Sequence, residues 1–285
     1  MRSQQLVTAG VIAVVFLLML VFERLRPLRR PVEPKLRRIV RNLATGGTAY
    51  ALVTLLATPL LVPLKKWVAA SRIGLLNVAG ISGASHVVIA IVLLDYTLWV
   101  WHFASHRVTF LWRFHLVHHV DRDLDSSTAL RFHFGEHALS IVYRAAQITL
   151  IGASPQALWI WQVILFASIL FHHANVRLPA GVERWLVRII VTPRMHTIHH
   201  STQLSETDSN WSSLLSVWDY LHRTILLSVP REDITVGVPA YQDACDVTIG
   251  RILLMPFRAQ RRDWHRADGS LQTRDHTASP VMLAP

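Results

Sequence analysis

Long apolar stretches alternate with short polar ones along the first two thirds of the chain. Leu6 to Phe22 is continuously apolar. Leu43 to Leu64 is a second run, softened by Gly46, Gly47 and Pro59, and Ala84 to Phe103 is a third. Each approaches the roughly 20 residues that carry an α-helix across a hydrocarbon layer about 30 Å thick. The pattern predicts three membrane spans. Two further runs, Ala138 to Ala153 and Pro155 to Phe171, are short for full spans and are separated by a turn around Gly152 to Pro155. They predict a helical hairpin that enters and leaves on one side. Residues 183–224 mix polar and apolar positions as surface helices do, and from Ser228 the chain turns polar and reads as a tail. The expected fold is all-α, a polytopic integral membrane protein. Its expected divisions are 1–83, N-terminal spans with a linker; 84–225, a central unit; and 226–285, a polar C-terminal tail.

Composition supports the membrane reading. The 285 residues are 52% hydrophobic and only 16% charged, against about 25% charged in soluble domains. The net charge of +11 is uneven, because eight Lys or Arg residues lie between Glu23 and Arg41. This basic run directly follows an apolar one, so it reads as a cytoplasmic flank beside anionic lipid. No nucleic-acid recognition motif accompanies it, which excludes that partner class. Leu6 to Phe22 lacks a small-x-small cleavage site and is followed by arginines, so it is expected to stay as the first span. With the linker cytoplasmic, the third span ends at the cytoplasmic surface. The expected location is the inner (plasma) membrane.

That third span ends in histidines. His102 and His106 are four apart, and His115 precedes His118 and His119 by three and four; His196 stands in the same relation to His199 and His200. On a helix these offsets place side chains on one face, about 5–6 Å apart. Twelve of the sixteen histidines fall within residues 102–200. A spacing repeated in this way points to a polynuclear metal site on the cytoplasmic side. The single Cys245 excludes cysteine-based zinc and iron–sulfur sites. Nine or ten imidazoles exceed the three or four that one zinc ion takes, which suits two metals in one pocket. Soluble di-iron bundles use Glu and Glu-x-x-His pairs instead. Here only Glu136 stands near enough in sequence to act as such a carboxylate. Asp95, seven residues before His102, shares its helix face and is expected to accept an imidazole N–H. Asn175 and Asn210 have two readings, hydrogen bonding around the site or helix capping. His86, His265 and His276 lie outside the pattern.

The segments DYTLWVWHFASH (95–106), LWRFHLVHH (111–119), STALRFHFGEH (127–137), FHHANVRLP (171–179), TPRMHTIHHS (192–201) and NWSSLLSVWDYL (210–221) together resemble the membrane fatty acid hydroxylase and sterol desaturase superfamily. The resemblance covers about residues 84–225. It implies a metal-ligand set of His102, His106, His115, His118, His119, His196, His199 and His200. His173, in the HHAN segment, matches the family's intermediate motif better than His172 does. His133 completes the set, standing where many members have R-x-H-P-x-E, although Phe134 replaces that proline here. A second departure is Leu221 to Thr224, where members often have L-F-G-T. Glu136, Asp95, Asn175 and Asn210 are the expected supporting residues around the ligands.

The resemblance implies two iron ions, which zinc can replace during expression, with dioxygen as co-substrate. The implied activity is hydroxylation of a C–H bond in an acyl, alkyl or sterol lipid, with desaturation by the same site as the alternative. A membrane metal transporter or sensor is the competing class, but transport favours ligands near the bilayer midplane. The chain has no haem-attachment motif, dinucleotide fingerprint or iron–sulfur cysteines, so a separate electron-donor protein of haem or iron–sulfur type is expected.

Overall fold

The apolar runs become long helices. Among the described residues, four helical stretches are long and apolar enough to cross a bilayer: Ser3–Leu25, Lys35–Val78, Gly83–Arg107 and Pro155–His173. The computed structural model describes residues 2–266 and 269–272, so His276 and the chain end at 273–285 lie outside the described residues. Helix α1 is Arg2–Leu25. It stops before Pro27, and Pro34 stands at the N-cap of α2, Lys35–Leu52. A π-turn at Val53–Ala57 joins α2 to α3, Thr58–Ser71. This unit starts eight residues before the expected apolar run, because its first two turns are held in a polar network. The short α4, Leu75–Val78, leads to α5, Gly83–Arg107, and α6, Thr109–His119, follows after one residue.

The hairpin is deeper than its sequence suggested. Helix α7 is Phe134–Ile151 and α8 is Pro155–His173, which gives lengths of about 27 and 28 Å at 1.5 Å per residue. Ser154 caps α8 and Gly152 ends α7 in the left-handed region at φ 73°, as helix C-termini favour. The turn reaches the far end of the bundle. Asn77 Nδ2 donates to Gly152 O at 3.1 Å, and a Cβ on Gly74 would come within 2.3 Å of Gly152 N. Only glycine permits that approach. α8 packs on α1 and α5, and α7 packs on α2, α3 and α5. Between them lies a core that includes Leu94, Ile148, Leu158, Trp161 and Leu165. Outward-facing Leu6, Tyr50, Leu55 and Val142 are 72–74% exposed, which suits a hydrocarbon surround better than water.

The expected polar tail is instead a folded cap. After α9 (Ala180–Leu186), α10 (Pro193–His199), α11 (Leu204–Thr207) and α12 (Val217–Leu221), residues 225–257 lie over the histidine end. Val229, Ile234 and Val236 bury against Leu124 and Ile198. Val238, Tyr241, Val247, Ile252 and Met255 bury against Leu116, Val117 and Val120 of the α6 end. These apolar positions are too scattered for a helical period, but together they cover one surface. The last helix, α13, is Ile249–Leu254.

The basic linker also differs from its expected role. Arg38 is 1% exposed and donates to Asp121 at 2.9 Å, to Asp125 at 2.5 Å and to Thr128 at 3.1 Å. Arg41 pairs with Glu33 and Asp121, and Asn42 donates to Asp121 and Ser127. Two of the linker's eight basic residues, Arg38 and Arg41, thus neutralise the acidic segment after the second histidine motif instead of facing lipid.

Candidate metal centre

Four chain segments deliver histidines to one end of the bundle. His102 and His106 come from the last turns of α5, His115, His118 and His119 from α6, and His173 from the end of α8. His196 and His199 come from α10, with His200 at its C-cap. They form two groups. His102, His106, His115, His119 and His199 make the first, and His118, His173, His196 and His200 the second. Within each, one ligand atom per residue lies within 4.8 Å of all the others.

Helix geometry explains this division. Residues four apart share a face, whereas adjacent ones diverge by about 100°. On α6, His115 and His119 therefore go to the first group and His118 to the second. On α10 the allocation reverses, with His196 and His200 in the second group and His199 in the first. The groups meet where His119 and His200 stack, with ring centroids 4.2 Å apart at 11°.

Several rings are held in one tautomer. The Nδ1–H of His102 donates to Trp211 O and that of His199 to Ser209 O, both at 2.7 Å. His173 Nδ1 donates to Ile169 O at 2.9 Å. A carbonyl can only accept, so each of these rings presents its Nε2 lone pair. His115 Nδ1 faces Glu136 Oε1 at 3.0 Å, the carboxylate–imidazole arrangement that strengthens a metal ligand. Burial, reinforced by neighbouring imidazoles, holds His118, His119, His196 and His200 well below the ordinary histidine range. Burial also brings His199 down to about 3. The rings are neutral, as metal ligands must be.

The residues fit metal ions. In the first group, Nε2 of His106, His115, His119 and His199 is buried without a hydrogen-bond partner. In the second, Nε2 of His173 lies 3.0 Å from Nε2 of both His118 and His196, and His200 Nε2 lies 3.1 Å from that of His196. Buried lone pairs converging in this way repel unless a cation lies among them. Ligand nitrogens held at about 2.0–2.1 Å from one ion have neighbouring separations of this size.

Nine of the ten expected ligands converge, and His133 is the exception. Its Nδ1 accepts from Gly135 N as the N-cap of α7, and its Nε2 faces Leu253 O at 3.1 Å. Both nitrogens are engaged by backbone, so where the resemblance at R-F-H-F-G-E implies a ligand the structure has a helix cap. His172 packs against His196, with centroids 4.1 Å apart, and His137 against Phe132; neither joins a group. Asp95 does not reach an imidazole. Its Oδ2 accepts from Leu215 N and Trp218 Nε1, which fastens the segment around α12 to α5. Asn175 bonds both backbone groups of Arg29 and caps no helix.

Asn210 supports the site at one remove. At φ 54° it bonds Met195 O and Leu226 O through Nδ2, and its Oδ1 accepts from Leu226 N. Its neighbours Ser209 and Trp211 supply the carbonyls that orient His199 and His102. Asp219 accepts from Trp211 N, Ser212 N and Trp99 Nε1, so it holds that same turn. The sequence alone assigns Asp219 no role, because that role depends on contacts up to 120 residues away.

Comparison with known proteins covers the same region. Residues 87–224 match the family described as fatty acid hydroxylase. An ornithine lipid hydroxylase of Rhizobium tropici is 36% identical over 139 residues, which is 48% of this chain and 41% of that protein. Alkylglycerol monooxygenases of Xenopus tropicalis and Homo sapiens are 26% and 27% identical, over 47% and 46% of this chain and 29% and 28% of theirs. The match thus spans less than half the length of each relative. No solved structure matches the chain significantly.

Proposed function

Residues 87–224 belong to the fatty acid hydroxylase family, and from that premise we propose that the chain is a di-iron, dioxygen-dependent membrane hydroxylase of a lipid C–H bond. The observation that carries this reading is the division of nine converging histidines into two adjacent groups at the bundle's end. Such a nitrogen-rich pair exceeds what a hydrolytic ion needs, since three ligands and an open position suffice for that. The relatives' names, an ornithine lipid hydroxylase and alkylglycerol monooxygenases, support the same class. His102, His106, His115, His119 and His199 would hold one ion, and His118, His173, His196 and His200 the other. When bound, the ions supply activation of dioxygen for transfer of one oxygen atom to carbon. The chain's own residues keep the ligands fixed through Glu136 and the Trp211, Ser209 and Ile169 carbonyls. Trp112, Trp211 and Phe132 wall the groups with aromatic surface and keep water out. A lipid would enter sideways between the spans.

In the expected experiment, the purified protein is given a reducing partner, lipid and heavy-oxygen gas. One heavy oxygen appears in the lipid product, and His118→Ala abolishes the labelling. A product lacking two hydrogens and carrying no label would make the enzyme a desaturase. Turnover without oxygen or reductant would refute both. A transporter would place its ligands near mid-bilayer, which argues against that class.

We also propose that the site faces the cytoplasm from the inner (plasma) membrane. Arg26 at the end of α1 lies beside Arg177, just beyond the histidine end of α8, so the linker's basic residues and the ligands share a side, and positive charge marks the cytoplasmic face. The exposed Cys245 belongs to the same cap. A membrane-impermeant thiol reagent should therefore label it only after cells are permeabilised. Labelling in intact cells would reverse the orientation.

A further inference from the structure

The cap carries an unusual combination of charge and aromatic contact. Residues 251–266 contain five arginines, Arg251, Arg258, Arg261, Arg262 and Arg266, against one acid, Asp263. All five arginines are exposed. Arg251 and Arg261 pair with Asp246, whereas Arg258 and Arg262 have no ion pair among the described residues. Asp263 is turned inward: its Oδ2 accepts from Trp112 Nε1 at 2.8 Å and its Oδ1 is buried.

Half-buried Trp264 stands among these arginines. Its ring stacks on Trp112, with centroids 6.0 Å apart and planes at 29°. Trp112 lies on the α6 face that bears His115 and His119. Its ring centroid is 5.0 Å from that of His106 and 5.4 Å from that of His119, two members of the first group. A continuous aromatic path thus runs from the basic surface to the candidate ligands in two contacts. The Asp263 carboxylate locks the inner indole, and Arg113 fastens the cap to α6 through the carbonyls of Pro256 and Arg258.

We propose that this Arg258–Arg266 surface docks an acidic one-electron carrier protein and that Trp264 and Trp112 form the entry path for its electrons. The inference rests on the oxygenase reading. Transfer of one oxygen atom from dioxygen to a C–H bond consumes two electrons and two protons, and the second oxygen leaves as water. Two reduced carriers each give up one electron and leave oxidised. The chain has one cysteine, exposed Cys245, and so cannot itself ligate an iron–sulfur cluster. Electron tunnelling weakens steeply with distance, and stacked indoles shorten the gaps through which it occurs. Neither indole is itself reduced. A basic face attracts an acidic partner and raises its encounter rate, whereas an apolar lipid gains nothing from it.

The test uses the metal-loaded protein in nanodiscs, without lipid substrate, mixed anaerobically with a reduced, acidic plant-type [2Fe–2S] ferredoxin. Stopped-flow absorbance follows ferredoxin oxidation. Arg258→Glu combined with Arg262→Glu should slow the second-order rate by about tenfold at low salt and flatten its salt dependence. At saturating ferredoxin, where docking no longer limits the rate, Trp264→Leu should still slow electron transfer severalfold. Dithionite at high salt should reduce all variants as fast as the unmodified protein. Unmodified rates in the charge variant, or no transfer from ferredoxin to a protein that dithionite reduces, would overturn the docking surface. An unmodified rate in Trp264→Leu would overturn the path. Equal slowing with dithionite would show the cap to be structural and overturn both. None of these readouts requires lipid oxidation, so failure of the hydroxylase reading would appear separately in the heavy-oxygen experiment.

Discussion

Replacing His196 with alanine should remove the ion held by the four-histidine group while leaving the five-histidine group filled. Metal content measured on gently purified protein should fall from two ions per chain towards one, and lipid oxidation should cease. His196 Nε2 is the contact shared by His173 and His200, so its loss opens the centre of that group. His199→Ala should have the mirror effect on the first group. Glu136→Gln leaves every ligand in place but weakens the hold on His115, and should reduce metal affinity by about 10- to 100-fold. His133→Ala is the control. It removes a helix cap, at a cost of about 1 kcal/mol, and should leave both ions bound. Loss of an ion in His133→Ala, or full metal content in His196→Ala, would refute the division of ligands.

Arg38→Ala should destabilise the protein by about 3–5 kcal/mol, because it leaves buried carboxylates without their main partner. Burial opposes ionisation of Asp121, yet the Arg38, Arg131 and Arg41 guanidinium groups outweigh it and hold the carboxyl well below its usual range. Asp121 is fully buried, so the charge that remains cannot turn to water. The loss is a large fraction of the roughly 5–15 kcal/mol that holds a typical domain together. The consequence should reach the metal site, since Asp121 is two residues past His119 and Arg131 Nε donates to Val117 O. Thermal unfolding in detergent and metal content should fall together. Arg37→Ala, one residue away and exposed, should change stability by less than about 0.5 kcal/mol. Equal effects of the two substitutions would sink this account.

The sequence by itself determined what local periodicity encodes. Apolar runs of membrane length gave the long helices, since a backbone in hydrocarbon must satisfy its hydrogen bonds internally. The three-and-four spacing of His115, His118 and His119, repeated at His196, His199 and His200, assured that each triplet shares a helix face. Glu136 was legible as a partner because it lies close along the chain to His115. The depth of the hairpin was less legible, because its turn meets Gly74 and Asn77, and those contacts cross from another helix.

Tertiary structure decided the rest, since the partners lie far apart in sequence. Arg38 and Asp121 are 83 positions apart; seen alone, one is an ordinary basic flank and the other an ordinary acidic loop. Asp95 shared a face with His102 but was claimed by Trp218, 123 positions away. His133 had the sequence context of a ligand, yet backbone groups occupy both its nitrogens. The polar-looking end of the chain became a cap because Val229, Ile234, Val236 and Val238 have apolar partners only once α6 and α10 are assembled. Which histidine of each adjacent pair serves which group was likewise fixed by the approach of α6 to α10. Local spacing sets the direction of a side chain, and only packing between segments supplies what it meets.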